Sequence, residues 1–110
     1  MHRGEIYWVN IQSGAEHVNH GMRPALIVSN NACNECSPNI TVVPLTTAAK
    51  KPMPTHVTCY INGTRNTILC ENIISINASD ILPNKKFAEL SKDMMELVSI
   101  ALMKQLGIMV

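Results

Sequence analysis

A small domain, mainly β with α, is what this sequence predicts: a partly open β-barrel with helical structure packed on it. Three observations predict it. Short apolar or alternating runs recur up to about residue 90, punctuated by Gly, Pro, Asn and polar stretches. The hydrophobic period then changes to helical spacing in the C-terminal segment. Finally, 110 residues that are 46% hydrophobic and only 15% charged suffice for one domain with its own core.

Each element follows in order. The first strand is read over residues 5–10, where Ile6 and Trp8 alternate with Tyr7 and Val9. A polar stretch over 12–22, with Gly14, Glu16, His17, His20 and Gly21, is long for so small a domain, and such loops tend to carry function. The second strand starts near Arg23 and Pro24 and continues through Ala25, Leu26, Ile27 and Val28. It is apolar throughout, the pattern of a central strand buried on both faces. Residues 30–39 read as a turn-rich connection and 40–46 as the third strand, with Pro44 arguing for a strand end or a bulge. A second polar loop over 47–54 contains Lys50, Lys51, Pro52 and Pro54. The fourth strand is 56–61, Asn62 and Gly63 form a turn, and the fifth strand is 66–70. Residues 71–77 continue extended, a short helix or turn spans 78–82, and 87–90 reads as a short strand.

Leu90, Met94, Leu97 with Val98, Ala101 with Leu102, and Leu106 then recur every three or four residues, an amphipathic helix. Ser91 suits its N-cap, Asp93 its first turn and Gly107 its stop. Met95, Ile100 and Met103 form a second apolar face, so the helix is either deeply buried or used twice, once on the sheet and once on a partner.

Composition excludes several classes. With 9 Lys+Arg against 8 Asp+Glu the net charge is +1, too apolar and weakly charged a chain for disorder, with no bulk basicity to argue for nucleic acid. No apolar run approaches the roughly 20 residues that cross a bilayer. The first residues carry no apolar signal core, so the expected compartment is the cytoplasm and no membrane is expected as a partner. In that reducing setting the four cysteines are read as thiols. Cys33 and Cys36 form a C-x-x-C on a loop, while Cys59 and Cys70 sit in strand patterns as small buried hydrophobes. A zinc site would want two close pairs, and a thioredoxin-like motif would want a helix after it, so neither is favoured.

Several segments, in order, carry a resemblance. They are Arg3-Gly4-Glu5-Ile6-Tyr7, Gly21-Met22-Arg23-Pro24-Ala25-Leu26-Ile27-Val28, Asn34-Glu35-Cys36-Ser37-Pro38, Val43-Pro44-Leu45-Thr46-Thr47, Pro54-Thr55-His56-Val57, Leu69-Cys70-Glu71-Asn72-Ile73 and Leu90-Ser91-Lys92-Asp93-Met94-Met95. Together they resemble the MazF/PemK family of bacterial toxin endoribonucleases from type II toxin–antitoxin systems. The resemblance covers essentially the whole chain as one domain, residues 1–110. It implies an SH3-like small β-barrel with a C-terminal amphipathic helix, a homodimer, and sequence-specific cleavage of single-stranded RNA (mRNA) with no metal and no cofactor. It also implies a cognate antitoxin protein whose C-terminal segment covers the RNA groove.

Metal-free RNA cleavage uses the ribose 2′-OH as nucleophile on the adjacent phosphorus. It needs a base, an acid for the leaving 5′-oxygen, and donors for the charge growing on the phosphoryl oxygens. Arg23, where the long loop enters the second strand, offers a planar fork of donors suited to phosphate. On its own it reads equally well as a strand cap or a partner of Glu71; the resemblance makes it catalytic, by electrostatics more than by proton transfer. Thr46, at a strand end beside Pro44, aligns with the family's active-site hydroxyl, with Thr47 one position on as a substrate contact. Gly14-Ala15-Glu16-His17 resembles the run that precedes the family's Gly-x-Arg-Pro, but extra residues separate it from Gly21 and His17 replaces the usual amide. Glu16, His17 and Gly21 are substrate-binding candidates on that alignment. Glu71 and Asn72 match an acidic–amide pair near the groove, where Glu71 could orient Arg23 or read a base edge, and His56 reads as structural. Two other classes compete: a non-enzymatic gyrase poison resembling CcdB, and a catalytically inactive SH3-like RNA-binding module. A gyrase poison would not need the pair Arg23 and Thr46.

Overall fold

The computed structural model describes residues 1–11 and 21–108. Its elements run β1 (Glu5–Ile11), β2 (Gly21–Ile27), α1 (Asn31–Cys36), β3 (Asn39–Thr46), β4 (His56–Ile61), β5 (Thr64–Leu69), β6 (Ile74–Asn77), a 3-10 turn (Ala78–Asp80), β7 (Ile81–Glu89) and α2 (Lys92–Gln105). All strand pairs are antiparallel, in the order β4-β5-β3-β2-β1-β7, with β6 alongside β3.

Pleat alternation gives this curled, unclosed sheet a core on each face. Ile6, Leu26, Val43, Leu45, Val57, Cys59 and Ile68 face α2, which buries Met95, Val98 and Ala101 against them. Their neighbours Tyr7, Val9, Ile11, Ala25, Ile27, Ile40 and Val42 fill the other core with Ile76 and Ile81. Register shifts on either side of Tyr7, where β1 meets β7, bend that edge. Half-buried Trp8 meets Phe87 edge to face at 5.7 Å, so its ring is already engaged, while Tyr7 is the core member of the pair.

The strand at β4, the turn and the closing helix form as expected. Asn62 and Gly63 both have positive φ, 51° and 80°, the conformation of a two-residue hairpin turn that Asn-Gly adopts at least cost. The Ser91 side chain accepts from Met94 N at 3.2 Å to cap α2, and Gly107 closes it at φ 72°.

Other expectations need correction. Residues 30–39 contain α1, begun by Asn30, whose side chain accepts from Cys33 N at 2.8 Å. Cys33 and Cys36 therefore lie on a short helix. Pro44 stands inside β3, neither at its end nor at a bulge. It falls between the stretch that pairs with β6 and the stretch that pairs with β5, a break where a missing N–H is tolerated. The extended run after residue 70 is interrupted by a turn, closed by Asn72 N to Leu69 O at 3.0 Å, before β6. β7 is longer than a strand at 87–90: it starts at Ile81, and the exposed run through Pro83 and Lys85 falls at the register shift between Ile81 and Lys86, where β1 is not paired with it. Met95 belongs to the inner face of α2; the outward apolar face is formed by Leu97 and Ile100. No helix among the described residues is long and apolar enough to cross a membrane.

Candidate active site

β2 and β3 pair through Ile27 with Val42, Leu26 with Val43, and Ala25 with Pro44. The pairing ends there: Arg23 lies two residues beyond it on β2, opposite Val9 of β1, and Thr46 two residues beyond it on β3, opposite Thr67 of β5. Both share the strand face of Ala25, Ile27, Ile40 and Val42, and Arg23 is half-buried beside its register partner Val9, a member of that core. Thr46 is nearly buried, at 9% exposure. Its hydroxyl oxygen accepts from Ala48 N at 3.1 Å, leaving the hydroxyl hydrogen to be donated elsewhere.

Arg23 and Thr46 line a cleft of about 420 Å³ together with Glu71 and Asn72. Four residues proposed from three separate stretches of the sequence thus share one cleft. Lys50, Lys51 and His56 line it as well. The sequence gives no strong reason to include them: two lysines side by side are usually a solvated pair, and His56 looks structural. The usable signal was the antiparallel pairing of β4 with β5, which places His56 opposite Leu69 and so brings it close to Glu71. Net charge understates the site, because among the described residues three cations, Arg23, Lys50 and Lys51, line it with one carboxylate.

That carboxylate has partners other than Arg23. His56 Nε2 lies 2.8 Å from Glu71 Oε2, and the Thr55 hydroxyl donates to Oε1 at 3.2 Å. No ion pair joins Glu71 to Arg23, so the first of the two alternatives read for Glu71, orienting Arg23, has no contact behind it among the described residues. Thr47 does not line the cleft. It borders a neighbouring depression with Lys50, Arg65 and Thr67. Gly21 opens β2 opposite Ile11 at φ 97°, in the left-handed region that favours glycine. Glu16 and His17 lie outside the described residues.

The cysteines are apart from this chemistry. Cys33 and Cys36 are exposed on α1, whereas Cys59 and Cys70 are buried in the core under α2. Burial, and next the nearby Glu71 carboxylate, pushes the Cys70 thiol up to about 12, and burial also raises Cys59. Among the described residues no cluster of three or more His, Cys, Asp or Glu could hold a metal ion. Iodoacetamide at pH 8 is expected to modify Cys33 and Cys36 in the native protein, and all four thiols after denaturation. Intact-mass spectrometry checks this; native labelling of Cys70 would contradict the assignment.

A family model described as PemK-like, MazF-like toxin of type II toxin–antitoxin system matches residues 2–106. The chain belongs to this family. Solved structures are similar to the toxin over nearly its whole length. MazF from Deinococcus radiodurans has 28% identity and a TM-score of 0.82, covering 98% of this chain and 97% of that one. The MazE–MazF complex of the same organism matches at 27% identity and a TM-score of 0.78, over 98% and 97%. An endoribonuclease in complex with its cognate antitoxin, from a mycobacterial species, matches at 25% identity and a TM-score of 0.81, over 97% and 95%. The toxin therefore has the MazF fold, a mostly antiparallel sheet with a C-terminal helix.

Proposed function

We propose that this toxin is a sequence-specific endoribonuclease that cuts single-stranded mRNA without a metal ion. The observation that carries this reading is the convergence of Arg23 and Thr46, from the neighbouring strands β2 and β3, in one cleft with two lysines. The 2′-oxygen forms a bond to phosphorus as the bond to the 5′-oxygen breaks. The 2′-OH proton passes to a base, and the 5′-oxygen leaves protonated as a hydroxyl, so the other end is a 2′,3′-cyclic phosphate or the 3′-phosphate it opens to. The Arg23 guanidinium neutralises charge growing on the phosphoryl oxygens, and the Thr46 hydroxyl donates to one of them. Asn72, Glu71, Gly21, Thr47, Glu16 and His17 are the candidate contacts to the RNA.

The partners follow from the same reading. A cognate antitoxin covers the RNA groove with its C-terminal segment, in keeping with the antitoxin complexes known for similar structures. The toxin acts as a homodimer in the cytoplasm; the outward Leu97, Ile100 and Leu106 supply apolar surface suited to a second copy. Cleavage of a long single-stranded RNA in excess EDTA is expected to match the rate with Mg²⁺, and Thr46→Ala to slow it about 10²-fold, the usual loss for one donor to a developing oxyanion. Gel electrophoresis of the digest and end-group analysis read both. Loss of cleavage in EDTA, or no cleavage of any long RNA, would sink the proposal.

A further inference from the structure

We propose that His56 is a positioning residue: with Thr55 it holds the Glu71 carboxylate away from the Arg23 guanidinium, leaving the arginine for phosphate. The inference rests on the endoribonuclease reading and deepens it. A carboxylate and a guanidinium in one cleft attract each other, and the fork-to-fork pair they form is among the strongest side-chain contacts. Such a pair would neutralise the cation that the phosphate needs. Glu71 and Arg23 line the same cleft and still form no ion pair.

The reason lies in what else Glu71 is given. Each of its oxygens takes one donor, Oε1 from the Thr55 hydroxyl and Oε2 from His56 Nε2. An ionised carboxylate only accepts, so Nε2 is the ring nitrogen that carries hydrogen in this contact. Thr55 and His56 lead into β4, and Glu71 follows β5. Backbone bonds tie the two segments together: Cys70 N donates to Thr55 O at 3.1 Å, and His56 is registered with Leu69. The clamp is therefore built on the sheet. The His56 side chain is 9% exposed, wedged between the cleft and a second groove formed by Pro54, Val57, Leu97 and Ile100, so the ring has little room to turn. Glu71, at 22%, keeps one side open to the cleft.

A double-mutant cycle separates positioning from a merely structural histidine. Wild type, His56→Ala, Glu71→Gln and the double variant are compared for kcat/KM on single-stranded RNA and for affinity toward a non-cleavable 2′-O-methyl RNA. Alone, His56→Ala is expected to lower both by about tenfold, the scale of one hydrogen bond to a charged group. In the Glu71→Gln background, where no anion remains to capture Arg23, it is expected to change neither. His56→Gln, which keeps a side-chain N–H, is expected to restore most of the loss. The same tenfold loss in both backgrounds, or no loss in the wild-type background, would overturn the proposal. If His56→Ala does not fold, by circular dichroism, Thr55→Val carries the same test, because it removes the other donor without opening a cavity. Failure of wild type to cleave RNA would refute the enzyme reading separately, and the affinity arm would still decide the clamp.

Discussion

Replacing Arg23 with alanine is expected to lower cleavage of single-stranded RNA by about 10³-fold, in the range seen when an arginine that stabilises phosphoryl charge is lost. The fold should survive. Arg23 is half-buried and not itself part of the core that Ala25 and Ile27 help to fill, and its backbone register with Val9 does not depend on the side chain. Lysine at this position is expected to recover only part of the rate, since it supplies charge without the planar pair of donors. Initial rates under single-turnover conditions, with circular dichroism as the control for folding, check both statements. An Arg23→Ala variant that cleaves within tenfold of wild type would remove the central residue of the mechanism.

Ile68→Ala is expected to produce the largest loss of stability, about 3 kcal/mol, within the range for deleting a fully buried branched side chain. Ile68 is completely buried on β5, between Leu45 of β3 and Val57 of β4. That row belongs to the core closed by Met95, Val98 and Ala101 of α2. A cavity at this point touches three strands and the helix, and none can collapse into it without giving up its own register. Urea unfolding reads the change as a lower midpoint at unchanged slope. The same row backs Thr46, the residue next to Leu45, so this variant should also lose activity faster on warming than Thr46→Ala does.

How much of this was legible in the sequence depended on what each residue reports. Side-chain period reports packing, and it was sufficient for β1, β4, the Asn62–Gly63 turn and α2 with its Ser91 cap. Backbone pairing has no period of its own. β7 was therefore seen only at its apolar end near Phe87, although the strand runs from Ile81 and is registered with β1 at Ile81, Lys86, Ala88 and Glu89. α1 was missed because six residues with no buried side chain have no hydrophobic stripe; Asn30 as an N-cap was the one available signal. Pro44 misled for the opposite reason. A proline removes a ladder bond only where a partner strand is waiting, and on β3 it stands where one partner gives way to another.

The site divides in the same way. Arg23, Thr46, Glu71 and Asn72 could be read individually from residue type and neighbouring motif, and the structure collects them in one cleft. Their mutual geometry could not be read. Glu71 looked like the partner of Arg23 because opposite charges suggest each other, whereas the β4–β5 hairpin hands Glu71 to His56 and Thr55 instead. Lys50 and Lys51 were undervalued because a charge pair in a loop carries no sign of where the loop folds.

The position of β1 bears on how this chain comes into being. Ile6 stands opposite Leu26 on one side and Ala88 on the other, and Leu90 N donates to Gly4 O at 2.9 Å. The core behind the cleft includes side chains from Ile6 through to Ala101. Contacts that distant in sequence cannot form until the intervening chain exists, and closing so long a loop is slow. The core under α2 lacks members until Ala101 has been made, so the enzyme proposed here cannot complete its fold until nearly the whole of this stretch has been translated.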